Sequence, residues 1–267
     1  MEAAATPRPP APLVLQENSG GVVRLTLNRG ERFNPLSSEM IAALQRAVDE
    51  IAADREARVV VLAALGKGFC AGHDLKQMRA HQSDAAWQAR LFEDCNRLMI
   101  SLTRLPQPVI ARVHGIATAA GCQLVASCDL AVASQDARFA TPGVNIGLFC
   151  STPMVALSRN LSRKASMEML LLGEMVGAND AKALGLVNRV TAPDRTLNEA
   201  VELGRIIASK PKMTLTFGKE AFYRQLEMPL DDAYAFTSAV MVENMLHDEA
   251  EEGIGAFLDK RDPKWPD

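Results

Sequence analysis

Two short segments concentrate the residue types that could act on a polar group. Residues 66–74 (GKGFCAGHD) and 115–122 (GIATAAGC) each follow an apolar run, are rich in small residues, and open onto a helical pattern. The first N–H groups of a helix have no partner within it and sit at the positive end of its dipole, so they suit a developing negative charge. Two such ends meeting at one carbonyl oxygen would form an oxyanion hole. The same glycines and alanines would also serve tight strand–helix packing, and spacing alone leaves both readings open. Other chemistries compete for the first segment. Gly66, Gly68 and Ala71 fit a loose dinucleotide fingerprint, but Phe69 and Cys70 are bulky where a pyrophosphate would sit. Gly68 to Gly72 resembles a nucleophile elbow with Cys70 at its tip, although a buried thiol without a basic neighbour is inert. His73 beside Asp74 suggests a dyad, yet adjacent side chains rarely face each other, and Asp74 reads better as a helix N-cap.

The elements that must hold these segments follow from periodicity. Residues 22–28 (VVRLTLN) alternate at period two as a strand does. Ser37 is placed to cap a helix with Met40, Ile41, Leu44, Val48 and Ile51 on one stripe. Residues 58–65 (RVVVLAAL) are continuously apolar, the mark of a strand buried on both faces. A long helix is expected over 84–105, strands over 108–114 and 129–133, and a last strand over 187–190. This βα alternation implies an α/β core with helices on both faces. Helical patterns then cover 197–209, 212–226, 229–246 and 249–258. The expected division is an arm over 1–12, an α/β core over 13–193 and a helical lobe over 194–267.

With 267 residues, 48% hydrophobic and 23% charged, the chain has a globular composition and needs neither disulfides nor metal to fold. A net charge of −3 without basic runs argues against nucleic acid and anionic membrane as partners. Five cysteines (70, 95, 122, 128 and 150) form no CxxC pair, which points to a reducing compartment, taken as the cytoplasm. The four histidines show no ligand spacing with them, so no metal site is expected, and His114, ending a strand, reads as a satisfied core residue. The opening MEAAATPRPPAP lacks the apolar run of a signal peptide. Residues 139–158 lack charge but are broken by Pro and Gly, and read as a buried loop rather than a membrane span.

Taken together, residues 68–78 (GFCAGHDLKQM) and 114–124 (HGIATAAGCQL) resemble the enoyl-CoA hydratase/isomerase (crotonase) superfamily. The likeness continues through 128–134 (CDLAVAS), 139–142 (FATP), Ala181 with 185–187 (GLV), and 252–261 (EGIGAFLDKR). It implies an α/β crotonase-like spiral of ββα units with a helical C-terminal lobe that trimerises, as a homotrimer or a dimer of trimers. The implied ligand is an acyl- or enoyl-CoA thioester of fatty-acid metabolism, with coenzyme A part of the substrate and no separate cofactor. By resemblance, the backbone N–H groups of His73 and Ala120 hold the thioester oxygen. Substrate contacts fall on Ala71, His73, Asp74, Leu75 and Lys76, and near Cys150 and Ser151. Phe257 and Lys260 would touch adenine from a neighbouring subunit.

The chain departs from the hydratase pattern at its acids. Gln123 and Gly143 stand where hydratases carry glutamates, and Ser151 stands where some relatives carry a third acid. Adding water across a conjugated double bond needs a base for the water and an acid for Cα, and Gln and Gly supply neither. A weak or divergent hydratase is therefore expected. The rivals are a non-catalytic acyl-CoA-binding or regulatory protein and a hydrolase using Cys150 or Ser151. His73, Gln123, Asn145, Cys150 and Ser151 remain as the side chains expected near the carbonyl.

Overall fold

The structure, a computed structural model, describes residues 11–266. The arm expected over 1–12 lies almost wholly outside them. Strand β1 (Val14–Ser19) turns at Gly20 and Gly21, both left-handed, into β2 (Val22–Leu27). Two consecutive positive φ angles are what a tight hairpin requires, and glycine adopts them without strain. Helix α1 (Ser38–Ala53) starts where Ser37 accepts a hydrogen bond from Met40 N at 3.3 Å, and it buries the expected stripe. Then come β3 (Val59–Ala64), α2 (Leu75–Ala80), α3 (Ala85–Arg104), β4 (Val109–Val113), β5 (Ile116–Thr118), α4 (Ala120–Ala126), β6 (Leu130–Ser134) and β7 (Arg138–Ala140). A 3-10 turn over Pro142–Ile146 leads to α5 (Pro153–Asn160), α6 (Arg163–Leu172), β8 (Val176–Gly177), α7 (Ala178–Leu184) and β9 (Arg189–Thr191). The chain ends in α8 (Thr196–Ala208), α9 (Lys212–Gln225), α10 (Leu230–Met245) and α11 (Asp248–Leu258).

A six-stranded sheet runs β1-β2-β3-β4-β6-β9, parallel except for the β1–β2 hairpin. The small sheet β5-β7-β8 stands beside it. Every residue of β3 is buried, because Val60 and Leu62 point into the main core while Val59 and Val61 meet a second cluster containing Ala200 and Leu203 of α8. Helix α8 therefore covers the outer face of the sheet, although it begins after the boundary expected near 194. Helices α9 to α11 pack on one another.

One buried polar joint ties this lobe to the core, and a second joins two of its own helices. Lys219 Nζ donates to Asp129 at 2.7 Å and to the carbonyls of Leu102 and Gln107, and Tyr223 donates to the same carboxylate at 2.8 Å. Glu249 accepts from Met213 N and Thr214 N, satisfying the first turn of α9. Leu230, Leu246, Phe257 and Leu258 are left strongly exposed on the lobe.

The charge-free stretch over 139–158 corrects one expectation. It is not a buried loop: Phe139 and Ala140 form β7, the stretch runs into α5, and Ile146, Leu148 and Phe149 are exposed. The reason is that Pro142 starts a 3-10 turn that ends at left-handed Gly147, which swings the following residues outward. Among the described residues no helix is long and apolar enough to cross a membrane.

Candidate functional site

The segment after β3 is strapped on both sides. On one side Ala71 N donates to Phe33 O, Leu36 N to Gly72 O, and Asp74 N to Leu36 O. On the other, Phe69 N and Cys70 N donate to Ile116 O, Thr118 N donates to Cys70 O, and Thr118 Oγ1 to Ala71 O. Asp74 then caps α2, accepting from Lys76 N at 3.0 Å and Gln77 N at 3.3 Å, and pairs with Arg32. Its carboxylate is thus spent on the cap, which excludes the His73–Asp74 dyad.

In this strapping the N–H of His73 finds no acceptor among the described residues, and neither does that of Ala120, the first residue of α4. The two lie close together. A Cβ built on Gly72 would stand 3.2 Å from Ala120 N and 2.9 Å from the Ala119 side chain. A Cβ on Gly121 would stand 2.1 Å from the Cys70 carbonyl oxygen. Both glycines are therefore required by the close approach of the two segments, and packing and function share them. Ala119, at φ 50° and ψ −120°, turns the chain so that its own N–H reaches Ala140 O while that of Ala120 is left free. Such a backbone costs a non-glycine residue about 1–3 kcal/mol. Nothing in the sequence marks Ala119, since only glycine would have announced this conformation.

His73, Gln123 and Gly143 bring no charge to the site. His73 lies edge-on to Phe92 of α3, with ring centroids 5.3 Å apart, and its Nε2 is buried without a partner. Burial pushes its pKa down to about 4, so the imidazole is neutral at pH 7. Gln123 follows Ala120 by one helical turn and is 3% exposed; its Oε1 is buried without a partner, and its amide nitrogen has no acceptor among the described residues. Gly143 lies buried in the 3-10 turn with ordinary φ, but a Cβ there would meet Leu148 O at 2.4 Å and Cys150 Sγ at 2.9 Å. The cysteine sulfur and a carbonyl thus occupy the room a glutamate would need.

The remaining sequence candidates divide. Cys150 is buried beside Gly143 and its thiol is pushed up by burial; Cys70 is fully buried and pushed up to about 12 by the same cause. Neither ionises readily, which disfavours a nucleophilic role. Ser151 is exposed and bonds only its neighbour's carbonyl, Phe149 O. Asn145 is exposed and donates to Gly173 O at 3.4 Å. Ala71 spends both backbone groups on the straps, while Leu75 and Lys76 lie exposed on α2. Phe257 and Lys260 are exposed at the end of α11, which packs on α9 and α10. His114 bonds Gly66 O through Nε2 at 2.8 Å, but its Nδ1 is buried without a partner, so it is half satisfied rather than fully so. A groove of about 700 Å³ between β1 and α1 reaches the first segment at Asp74, not at the paired donors. Among the described residues no cluster of three potential metal ligands occurs.

The enoyl-CoA hydratase/isomerase family model matches residues 17–267. Enoyl-CoA hydratase domain-containing protein 3, mitochondrial, of Xenopus laevis is 44% identical over 254 residues, covering 95% of this chain and 86% of that protein. The crystal structure of an enoyl-CoA hydratase of Mycobacterium smegmatis superposes with a TM-score of 0.93 at 56% identity, covering 96% of this chain and 99% of that one. The human enoyl coenzyme A hydratase domain-containing protein 3 superposes with a TM-score of 0.92 at 42% identity, over 95% of this chain and all of that one.

Proposed function

This chain belongs to the enoyl-CoA hydratase/isomerase family, and on that premise we propose that it binds an acyl-CoA thioester and polarises its carbonyl with the N–H groups of His73 and Ala120. The observation that carries this reading is the pair of unpartnered donors held side by side by Gly72 and Gly121. Aimed at one oxygen, they stabilise a thioester enolate, each such donor contributing roughly 10²–10³-fold. The pantetheine end lies along Ala71, Asp74, Leu75 and Lys76, with Cys150 and Ser151 bordering the acyl side. Coenzyme A enters as part of the substrate.

Hydration is weak in this reading. Gln123 and Gly143 hold no proton to exchange, and the space at Gly143 is filled. Fatty-acid metabolism is the expected setting. The exposed apolar residues of the lobe suit a homotrimer or dimer of trimers, in which Phe257 and Lys260 reach a neighbour's adenine. Five unpaired thiols suit a reducing compartment, either the cytoplasm or the mitochondrion that the vertebrate relatives carry in their names.

The test is a panel of acyl- and enoyl-CoA thioesters, with calorimetry for binding and mass spectrometry for products. Saturable binding with slow or no hydration of crotonyl-CoA supports the proposal. Binding without turnover of any member supports a purely binding role. Release of free coenzyme A would revive Cys150 or Ser151 as a nucleophile, and absence of all binding would refute the reading.

A further inference from the structure

We propose that Arg112 and His114 form a site for inorganic phosphate on the outer face of the large sheet, apart from the paired donors. Strand β4 carries Ile110 and Arg112 on that face, and His114 follows on the same side at its end. Ile110 and the neighbouring Val132 lie under helix α8 with Ala200 and Leu203. Arg112 is half-buried and its Nε is buried outright, yet none of its N–H groups finds an acceptor among the described residues. No carboxylate among them pairs with it either. The charge that acts on it is Arg24 of β2, itself paired with Glu17 at 2.5 Å. A guanidinium partly withdrawn from water without a counter-charge is destabilising, and a bound anion would offset that.

His114 narrows the choice of anion. Its Nε2 faces Gly66 O at 2.8 Å, and a carbonyl only accepts, so Nε2 holds the ring hydrogen. Burial, with Arg112 nearby, pushes the imidazole pKa down, and the ring is neutral at pH 7. Its Nδ1 is therefore a bare acceptor, and it too is buried without a partner. The face thus offers a charged donor and a neutral acceptor two residues apart. The occupant must accept from Arg112 and donate to His114. A water satisfies both atoms but leaves the charge uncompensated. Sulfate answers the charge but has no hydrogen to give. Phosphate near neutral pH carries both negative charge and a hydroxyl. A phosphomonoester, with its second pKa at about 6, is mostly a dianion without one. The occupant would also brace the roots of both site segments. His114 holds Gly66, the first residue of one, and directly precedes Gly115, the first of the other, where a Cβ would stand 2.3 Å from Lys67 O.

The full chain, in chloride buffer at about pH 7.5 and constant ionic strength, is titrated with inorganic phosphate, sulfate and methyl phosphate. Calorimetry follows binding, and nitrogen NMR follows the histidine rings, with His114 identified by its loss in His114→Asn. The expected result is saturable phosphate binding that moves the His114 Nδ1 resonance while Nε2 keeps its hydrogen. Phosphate should also raise the urea midpoint of the parent. Sulfate and methyl phosphate should bind about tenfold more weakly or less, for want of the hydroxyl. Arg112→Met should weaken phosphate binding about tenfold or more. Freed of an uncompensated charge, that variant should match or exceed the parent's urea midpoint in chloride and gain nothing from phosphate. Arg112→Lys, which keeps the charge but not the planar fork, should retain part of the binding. Absence of phosphate binding overturns the proposal, as does sulfate bound as tightly as phosphate. So does phosphate binding that leaves the His114 resonance in place or survives Arg112→Met unchanged. Should Arg112→Met fail to fold by circular dichroism, the anion comparison and the ring resonance of the parent still decide.

Discussion

Replacing Gly121 by alanine tests how the two site segments are joined. The added Cβ would lie 2.1 Å from the Cys70 carbonyl oxygen and 2.9 Å from the Cys70 Cβ. Such a contact becomes ordinary only from 3.4 Å, so α4 and the first segment must separate by roughly 1 Å or more. Both sides resist this. The Cys70 carbonyl is bonded to Thr118 N, and Cys70 and Ala120 belong to one buried cluster. Overpacking of this kind typically costs about 1–3 kcal/mol, readable as a lower urea midpoint at unchanged slope. The functional effect is separate and larger in kind. A 1 Å shift moves Ala120 N–H relative to His73 N–H, and a misplacement of that size can cost about 10²-fold at the reacting centre.

The assay pairs urea unfolding with the carbonyl infrared band of bound, isotopically labelled acetyl-CoA. That band should shift in the parent protein and lose most of the shift in Gly121→Ala. Gly218→Ala serves as the control, because its Cβ meets nothing within 4 Å on helix α9. It should gain up to about 1 kcal/mol from helix propensity and leave the band alone. A Gly121→Ala protein as stable as the parent, with the full band shift, would refute the interlocked arrangement.

Ala119→Gly relieves the positive φ and should raise stability by about 0.5–1 kcal/mol after the added chain entropy, measured as a higher urea midpoint. Lys219→Met strands the Asp129 carboxylate beside Tyr223 and should cost about 3–5 kcal/mol, with much less lost when Asp129→Asn is added, in a double-mutant cycle. His73 binds its proton less readily folded, at about 4, than unfolded, near 6.5. Its contribution is therefore complete above pH 6.5 and lost as pH falls toward 4, by about 3 kcal/mol in all; His73→Phe should remove that part of the acid slope in stability curves.

What the sequence determined by itself was local. A side-chain oxygen two or three residues before a free N–H caps a helix, so Ser37 and Asp74 were legible, as was the stripe from Met40 to Ile51. The unbroken apolar run of β3 announced burial on both faces, because alternate side chains point to opposite sides of a sheet. The combination of the two small-residue segments with the later motifs marked the family. The short strands β5, β7 and β8 carried no such mark, since two or three residues hold no period. Tertiary structure alone decided that Gly72 and Gly121 face the other segment, that Phe92 buries the His73 ring, and that Leu148 and Cys150 fill the space beside Gly143. Each of these is a contact between residues brought together by the strand order. Periodicity and capping act within a turn or a pleat, whereas the room at Gly143 and the charge of His73 depend on which distant backbone arrives next to them.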